Sequence, residues 1–285
     1  MVAITKEGTP SLNGASDDPE KRFDDFFADP VYLWFKRYIY SYLYRKYAVN
    51  KRLKQLDEEQ SSRILEIGAG VAPIVRWDDG VILTDLSWLA LARLRRGNPG
   101  QAATMSATAL PLRHDCADVI VCSEVLEHIV DDRAAFAEIS RALRPGGALI
   151  LTVPCNPRYY AYDDAFVKHQ RRYVVGELLA QLRGVQLEIV EVAKLAGLVE
   201  KLTTWAIVRL FTLLRPMFAR PLRERQDARR SVLWWVLLPF WFVANHVFAA
   251  VIAVEGKLMP WSLTSIVLVH ARKLDPSLPD PATVR

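Results

Sequence analysis

Apolar residues along this chain come in short runs, separated by turn formers and charged residues at intervals that suit alternating strands and helices. Ile64, Leu65 and Ile67 form the first run and end in Gly68-x-Gly70. A buried strand that stops at two glycines can turn tightly and open a ligand site at its C-terminal edge. Val71 to Trp77 then leaves room for two turns of helix, with Pro73 in the first, before a second strand, Val81 to Thr84, that carries Asp85 at its tip. A helix follows from Ser87 to Arg96, and Asp118 to Cys122 supplies the fourth strand. Asp131 or Asp132 caps a helix whose Phe136, Ile139 and Leu143 share one face, and Pro145-Gly146-Gly147 ends it. Ala148 to Val153 is the fifth strand, Gly176 to Leu182 a helix, Gln186 to Ala193 the sixth strand and Ser262 to Ala271 the seventh. This rhythm predicts an α/β fold with a doubly wound, mostly parallel sheet. Its ligand belongs over the C-terminal ends of the strands that begin at Arg63, Val81 and Asp118.

Two stretches break the rhythm. Asp29-Pro30 offers an N-cap and a first-turn proline to a helix crowded with Tyr32, Trp34, Phe35, Tyr38, Tyr40, Tyr42, Tyr44 and Tyr47 among lysines and arginines. It reads as an amphipathic helix laid over the sheet, or as a lid or membrane-facing helix. The other stretch, Gly197 to Trp261, is a hydrophobic insertion before the last strand. The chain therefore divides into a polar tail (1–22), an aromatic and basic helical segment (23–60), a core (61–196), the insertion (197–261), the last core strand (262–274) and a second tail (275–285).

Hydrophobic residues make up 51% of the 285, and charged residues 24%, which excludes a disordered chain. Cys116, Cys122 and Cys155 show no paired or metal-ligand spacing, and the first residues hold no apolar signal core, so a reducing cytoplasmic setting is expected. The formal charge of +5 is uneven: nine basic side chains lie between Lys21 and Lys54, and six arginines between Arg215 and Arg230. Outside these two segments the balance is negative, which makes nucleic acid an unlikely partner despite aromatics that could stack on bases.

Glu66 stands two places before Gly68, where a phosphate-cradling turn would gain nothing from a carboxylate and a cationic or amino-bearing ligand would. Pro73 also occupies the third glycine position of a dinucleotide turn, which disfavours a nicotinamide oxidoreductase. Asp85 is placed to accept hydrogen bonds from a ribose diol; its alternative duty is to cap the next helix, which Ser87 can do instead. Glu66-x-Gly68-x-Gly70 resembles the first motif of the class I methyltransferases that use S-adenosylmethionine, and Asp85 resembles their second. Met105 to Leu112 (MSATALPL) looks like their adenine-binding segment, with Ser106 where Asp is usual. Glu124 to Ile129 (EVLEHI) and Arg141 to Pro154 (RALRPGGALILTVP) resemble the fourth and fifth elements. His169-x-Arg171-x-Tyr173 resembles the segment over the acceptor pocket in the type 11 group. The resemblance covers about Arg63 to Ala193 plus the last strand. It implies a seven-stranded Rossmann-like fold and S-adenosylmethionine as cofactor. Glu66, Gly68 and Gly70 would hold its methionine end, Asp85 its ribose, Leu86 and Ala107 its adenine, with Glu124 also in contact.

An oxygen nucleophile would need a general base, and His128 or His169 has the intrinsic pKa for it. Some relatives hold a metal at Glu-x-x-Glu-His, so Glu124, Glu127, His128 and His169 form an alternative magnesium set that would activate a substrate hydroxyl. The other reading is that Glu127 and His128 cap the helix and shape the pocket. Arg171 and Arg172 could grip a phosphate or carboxylate of the acceptor, or lock their loop by ion pairs.

Ser231 to Val254 contains no charged residue over 24 positions, long enough to span a bilayer. It is nevertheless expected not to cross, because the strands on either side of the insertion share one sheet. The only other apolar candidate, Leu198 to Leu214, carries Glu200, Lys201 and Arg209, and Pro239 breaks the charge-free run. The expectation is two interfacial helices or a shallow hairpin, with Arg215 to Arg230 on anionic headgroups of the inner membrane face. A helical subdomain packed on the enzyme or on a second copy is the rival. Together these readings predict a peripheral methyltransferase, with O-methylation of a small-molecule, lipid or lipid-linked acceptor. The alternative is a non-catalytic membrane-associated protein that retains the fold.

Overall fold

The computed structural model describes residues 39–56, 63–76, 80–95, 100–218 and 232–275. Its elements are α1 (Tyr40–Leu56), β1 (Ile64–Ile67), β2 (Val81–Asp85), α2 (Trp88–Leu94), β3 (Gln101–Thr104), β4 (Ala117–Ser123), α3 (Asp132–Ala142) and β5 (Leu143–Pro154). There follow α4 (Tyr162–Phe166), α5 (Val175–Gly184), β6 (Leu187–Ala196), α6 (Leu198–Phe218), α7 (Val232–Leu258) and β7 (Ile266–Lys273). The strands form one sheet in the order β3-β2-β1-β4-β5-β7-β6, parallel except for β7, which runs antiparallel to both neighbours. From β1 the chain winds one way to β3, then returns to place β4 on the other side of β1. That reversal sets the switch point between β1 and β4.

The strands are apolar on both faces because helices cover both. Ile120 and Cys122 of β4 face α3 and α5, against Phe136, Ile139, Leu178 and Leu182. Val119 and Val121 face the other way, against Val49 and Leu53 of α1, Leu91 of α2 and Ile252 of α7. Helix α1 thus lies over the sheet, as one reading of its pattern had it: Tyr40, Tyr42 and Tyr44 are buried and Tyr47 is 69% exposed. Asp29-Pro30 and the aromatics before Ile39 lie outside the described residues.

Several boundaries differ from expectation, each for a local reason. Residues 71–76 form bends and no helix. Both oxygens of Glu66 accept amide N–H groups there, from Ile74 at 2.7 Å and Val75 at 2.9 Å. Tyr42 Oη donates to Pro73 O and Asn50 Nδ2 to Ile74 O, so α1 covers the place a crossover helix would take. Leu143 leaves α3 and starts β5 opposite Ala117; Pro145, Gly146 and Gly147 lie in a register shift that ends where Ala148 pairs Val119. β3, QAAT, has no apolar alternation to announce it. Ser262 and Leu263 belong to a 3₁₀ turn, and β7 begins at Ile266.

The insertion folds as two helices. α7 runs unbroken through Pro239, contrary to the expected break, because a proline costs one backbone bond and this helix has 27 residues. Its Asn245, Ala249, Ile252, Glu255 and Gly256 form one buried face. A Cβ at Gly256 would lie 2.5 Å from Leu195 O, so only glycine lets α7 press on β6. Ala196 pairs with Ile266, so the insertion leaves and re-enters the sheet at adjacent residues. Removing buried Leu53 (Leu53→Ala) should cost about 2–5 kcal/mol in urea unfolding. Tyr47→Ala, on the same helix, should cost about 0.5 kcal/mol or less.

Candidate active site

Three segments converge at the C-terminal edge of β1 and β2. Gly68 has φ +72° and Gly70 φ +57°, a region open to glycine, and a Cβ on Gly68 would overlap Val125 Cγ2. Gly70 N donates to Asp85 Oδ2 at 2.8 Å, and Ser87 N donates to Asp85 Oδ1 at 2.8 Å. Ser87 itself caps α2, its Oγ accepting from Ala90 N, which leaves Asp85 to join the β1 and β2 loops. Met105 N donates to Asp85 O at 3.1 Å and ties the start of the 105–112 segment to the tip of β2. Ser106 Oγ is engaged by Thr108, so it forms the turn in place of an aspartate.

Glu66 is 2% exposed, and its carboxylate is spent on the 74–75 amides. Glu66 thereby shapes the loop that follows the glycines. Burial pushes its pKa up to about 7, against the two amide bonds, which pull it down.

A second set of residues gathers beyond the end of β4. Glu124, at φ +56°, accepts an ion pair from Arg45 of α1 at 3.1 Å, and its other oxygen is buried without a hydrogen-bond partner among the described residues. Glu127 is fully buried and neither of its oxygens is hydrogen-bonded among the described residues; burial raises its pKa. His169 Nε2 lies 3.6 Å from Glu127 Oε1, and the His128 and His169 rings meet edge to face at 4.8 Å. His128 Nδ1 donates to Lys168 O at 3.3 Å, and His169 Nδ1 lies 2.9 Å from Asp164 Oδ1. The loop holding His169 is fixed by Gln170 N to Glu127 O. Arg171 pairs with Asp132 at 2.8 Å and Arg172 with Asp164 at 2.8 Å, so both arginines serve the loop-locking role. Tyr173 Oη donates to Asp132 Oδ2.

Residues 65–151 match the type 11 methyltransferase domain family. The demethylmenaquinone methyltransferase of Streptomyces avermitilis is 26% identical over 124 residues, 42% of this chain and 54% of that protein. The chain thus spans about half the length of the curated relative it matches. Among solved structures, the phosphoethanolamine N-methyltransferase 2 of Haemonchus contortus, in complex with S-adenosyl-L-methionine, aligns with TM-score 0.55 and 16% identity over 89% of this chain and 60% of that one. A chain from the complex of the Haloferax volcanii Trm112 methyltransferase activator with a methyltransferase aligns at 0.56 and 14%, over 89% and 98%. Residues 65–151 thus resemble the methyltransferase domain in sequence, and the chain shares its fold with these methyltransferase structures.

The methyltransferase domain fits the cofactor that its family implies. Gly68 and Gly70 clear the backbone at the switch point, and Asp85 is half-exposed at the tip of β2, where the resemblance expects the ribose. Magnesium fits less well. The three side chains that come within 4.8 Å of one another are Glu127, His128 and His169, one carboxylate with two imidazoles, whereas magnesium takes oxygen ligands. Glu124, the remaining member of the expected set, is paired with Arg45 instead.

The sequence reading missed Arg45, Asp163, Asp164 and Lys201. Only the acidic pair Asp163-Asp164 ahead of His169 could have hinted at them.

The sign of a pH effect at Glu66 follows from its raised value. The neutral acid favours the fold, so its contribution is full below about 4.5 and lost as pH rises through about 7. The stability gap between wild type and Glu66→Gln should therefore fall by about 3 kcal/mol between pH 4.5 and 8 in urea unfolding.

Proposed function

We propose that this chain is an S-adenosylmethionine-dependent methyltransferase that O-methylates a lipid or lipid-linked acceptor at the inner face of a membrane. The observation that carries the proposal is the apolar outer surface of the insertion, attached directly to the acceptor side of the site. Val243, Val247, Val251, Val254 and Leu258 form an exposed stripe on α7, with Leu202, Leu210 and Leu213 exposed on α6. Pro239–Leu258 is long and apolar enough to cross a bilayer, and 28% of its most apolar 18-residue window is buried. An apolar surface of this extent would be costly in water, and a bilayer interface is its natural solvent. Of the arginines from Arg215 to Arg230, all but Arg215 lie between the two helices in sequence, and they suit anionic headgroups.

Crossing is disfavoured by the Ala196–Ile266 pairing, which returns the insertion to its point of departure. Glu200 and Lys201 do not weigh against lipid contact, because both turn inward, 4% and 5% exposed.

Bound S-adenosylmethionine supplies an electrophilic methyl on a sulfonium. The chain's part is to align an acceptor oxygen with that methyl, exclude water, and take the hydroxyl proton. Gly68, Gly70, Asp85 and Ala107 bind and orient. His169 takes the proton at Nε2, with His128 beside it and the buried Glu127 3.6 Å from that nitrogen. Arg45, paired with Glu124, holds α1 over this edge.

Asp85→Ala should weaken S-adenosylmethionine binding by about 1–3 kcal/mol in calorimetry, the scale of lost charge-assisted hydrogen bonds. Binding equal to wild type would remove Asp85 from the site. In flotation with anionic vesicles the protein should rise with the lipid, and do so less when the vesicles are neutral. Protein left in the dense fraction in both cases would refute the membrane reading.

A further inference from the structure

A buried cluster of charges joins the insertion to His169. Lys201, one turn into α6, has its Nζ 2.6 and 2.8 Å from the two oxygens of Asp163 and 2.7 Å from Asp164 Oδ2. Asp164 Oδ2 also accepts Ala161 N at 3.0 Å. Its Oδ1 accepts Arg172 Nε at 2.8 Å and faces His169 Nδ1 at 2.9 Å. Asp163, Asp164, Lys201 and Arg172 are each 9% exposed or less. With two positive and two negative charges the cluster is neutral, the condition under which buried ions are tolerated.

The arrangement dictates a proton position. A carboxylate that already accepts three N–H groups, from Ala161, Lys201 and Arg172, is ionised and can only accept, so His169 Nδ1 must be the donor. The base lone pair is then on Nε2, the nitrogen that faces Glu127. We propose that Asp164 and Lys201 are positioning residues for His169: Asp164 fixes the Nδ1–H tautomer, and Lys201, reaching from the insertion, fixes Asp164. The insertion would then hold a catalytic group in register as well as present an apolar surface. This inference rests on the reading of His169 as the base. With bound S-adenosylmethionine supplying the methyl and its sulfur leaving with the C–S electrons, the acceptor hydroxyl proton would pass to His169 Nε2, while the Nδ1 proton would stay on nitrogen, hydrogen-bonded to Asp164. Without Lys201, Asp163 and Asp164 would face each other with only Arg172 to offset them, and Oδ1 would lose its fixed direction.

The test is a long-range ¹H–¹⁵N spectrum of the full chain labelled at its five histidines, with His169 assigned by loss of its signals in His169→Gln. It reads the tautomer whether or not methyl transfer or vesicle binding is found, so its outcome is separate from theirs. Wild type should show His169 protonated at Nδ1 and unprotonated at Nε2. Asp164→Asn should move the proton to Nε2 or give a mixture, as when a triad aspartate is neutralised. Lys201→Met should give a mixture, and Lys201→Arg should restore the wild-type pattern. Should Lys201→Met fail to fold, Asp163→Asn removes one anchor of the ammonium, keeps an acceptor oxygen and should give the same mixture. A wild-type Nε2–H tautomer, or an Asp164→Asn spectrum identical to wild type, would overturn the proposal. An unchanged tautomer in Lys201→Met or Asp163→Asn would overturn the part assigned to Lys201.

Discussion

The pairing of Ala196 with Ile266 constrains much of what is distinctive in this molecule. β6 and β7 hydrogen-bond side by side, so the 69 residues from 197 to 265 are an excursion that starts and ends at one place on the sheet edge. An excursion of that kind can cover, cap or dock, but its two ends cannot part. α7 covers: its small buried face, with Gly256 against Leu195, replaces a helix on the β6 side of the sheet. α6 reaches toward the loop carrying His169 through Lys201, and its N-terminal amides are met by Glu255 of α7, which accepts from Val199 N and from Gly197 N and Glu200 N. The two helices are thus locked to each other at the end nearest the sheet, while their outer faces stay apolar.

Burying Lys201, Asp163, Asp164 and Arg172 in this seam is an energetic commitment. Such a group adds little stability against an apolar replacement of the same shape, but loss of one member leaves an uncompensated charge. A cluster of this type is better suited to fixing one geometry than to adding stability. The geometry fixed here is that of the loop carrying His169, between the end of β4 and the insertion.

Much of the architecture was legible because it rests on residue patterns a few positions long. Glu66-x-Gly68-x-Gly70 marks the end of β1, Asp85 the end of β2, and apolar runs mark β4 to β7. The helix expected at 71–77 was not legible, because the amides that would have formed it are claimed by Glu66 and covered by α1, a contact between segments far apart in sequence. β3 was not placed, since an edge strand reading QAAT buries none of its side chains fully. Pro239 misled because one proline weighs little in a helix of 27 residues. At the site, the histidines and Glu127 stood out by spacing. Asp164, which faces His169, lies only five residues before it, but Lys201, which holds Asp164, and Arg45, which pairs with Glu124, come from distant elements that no local pattern joins to the site.

The most direct test of the account follows the transferred methyl. Purified protein would be incubated with S-adenosylmethionine labelled in the methyl group and with membranes of the source cell, and the products partitioned between chloroform and water. The account predicts label in the organic phase, in a product that releases it under ether- or ester-cleaving conditions. Label only in the aqueous phase, or no transfer by protein that binds the cofactor, would contradict it.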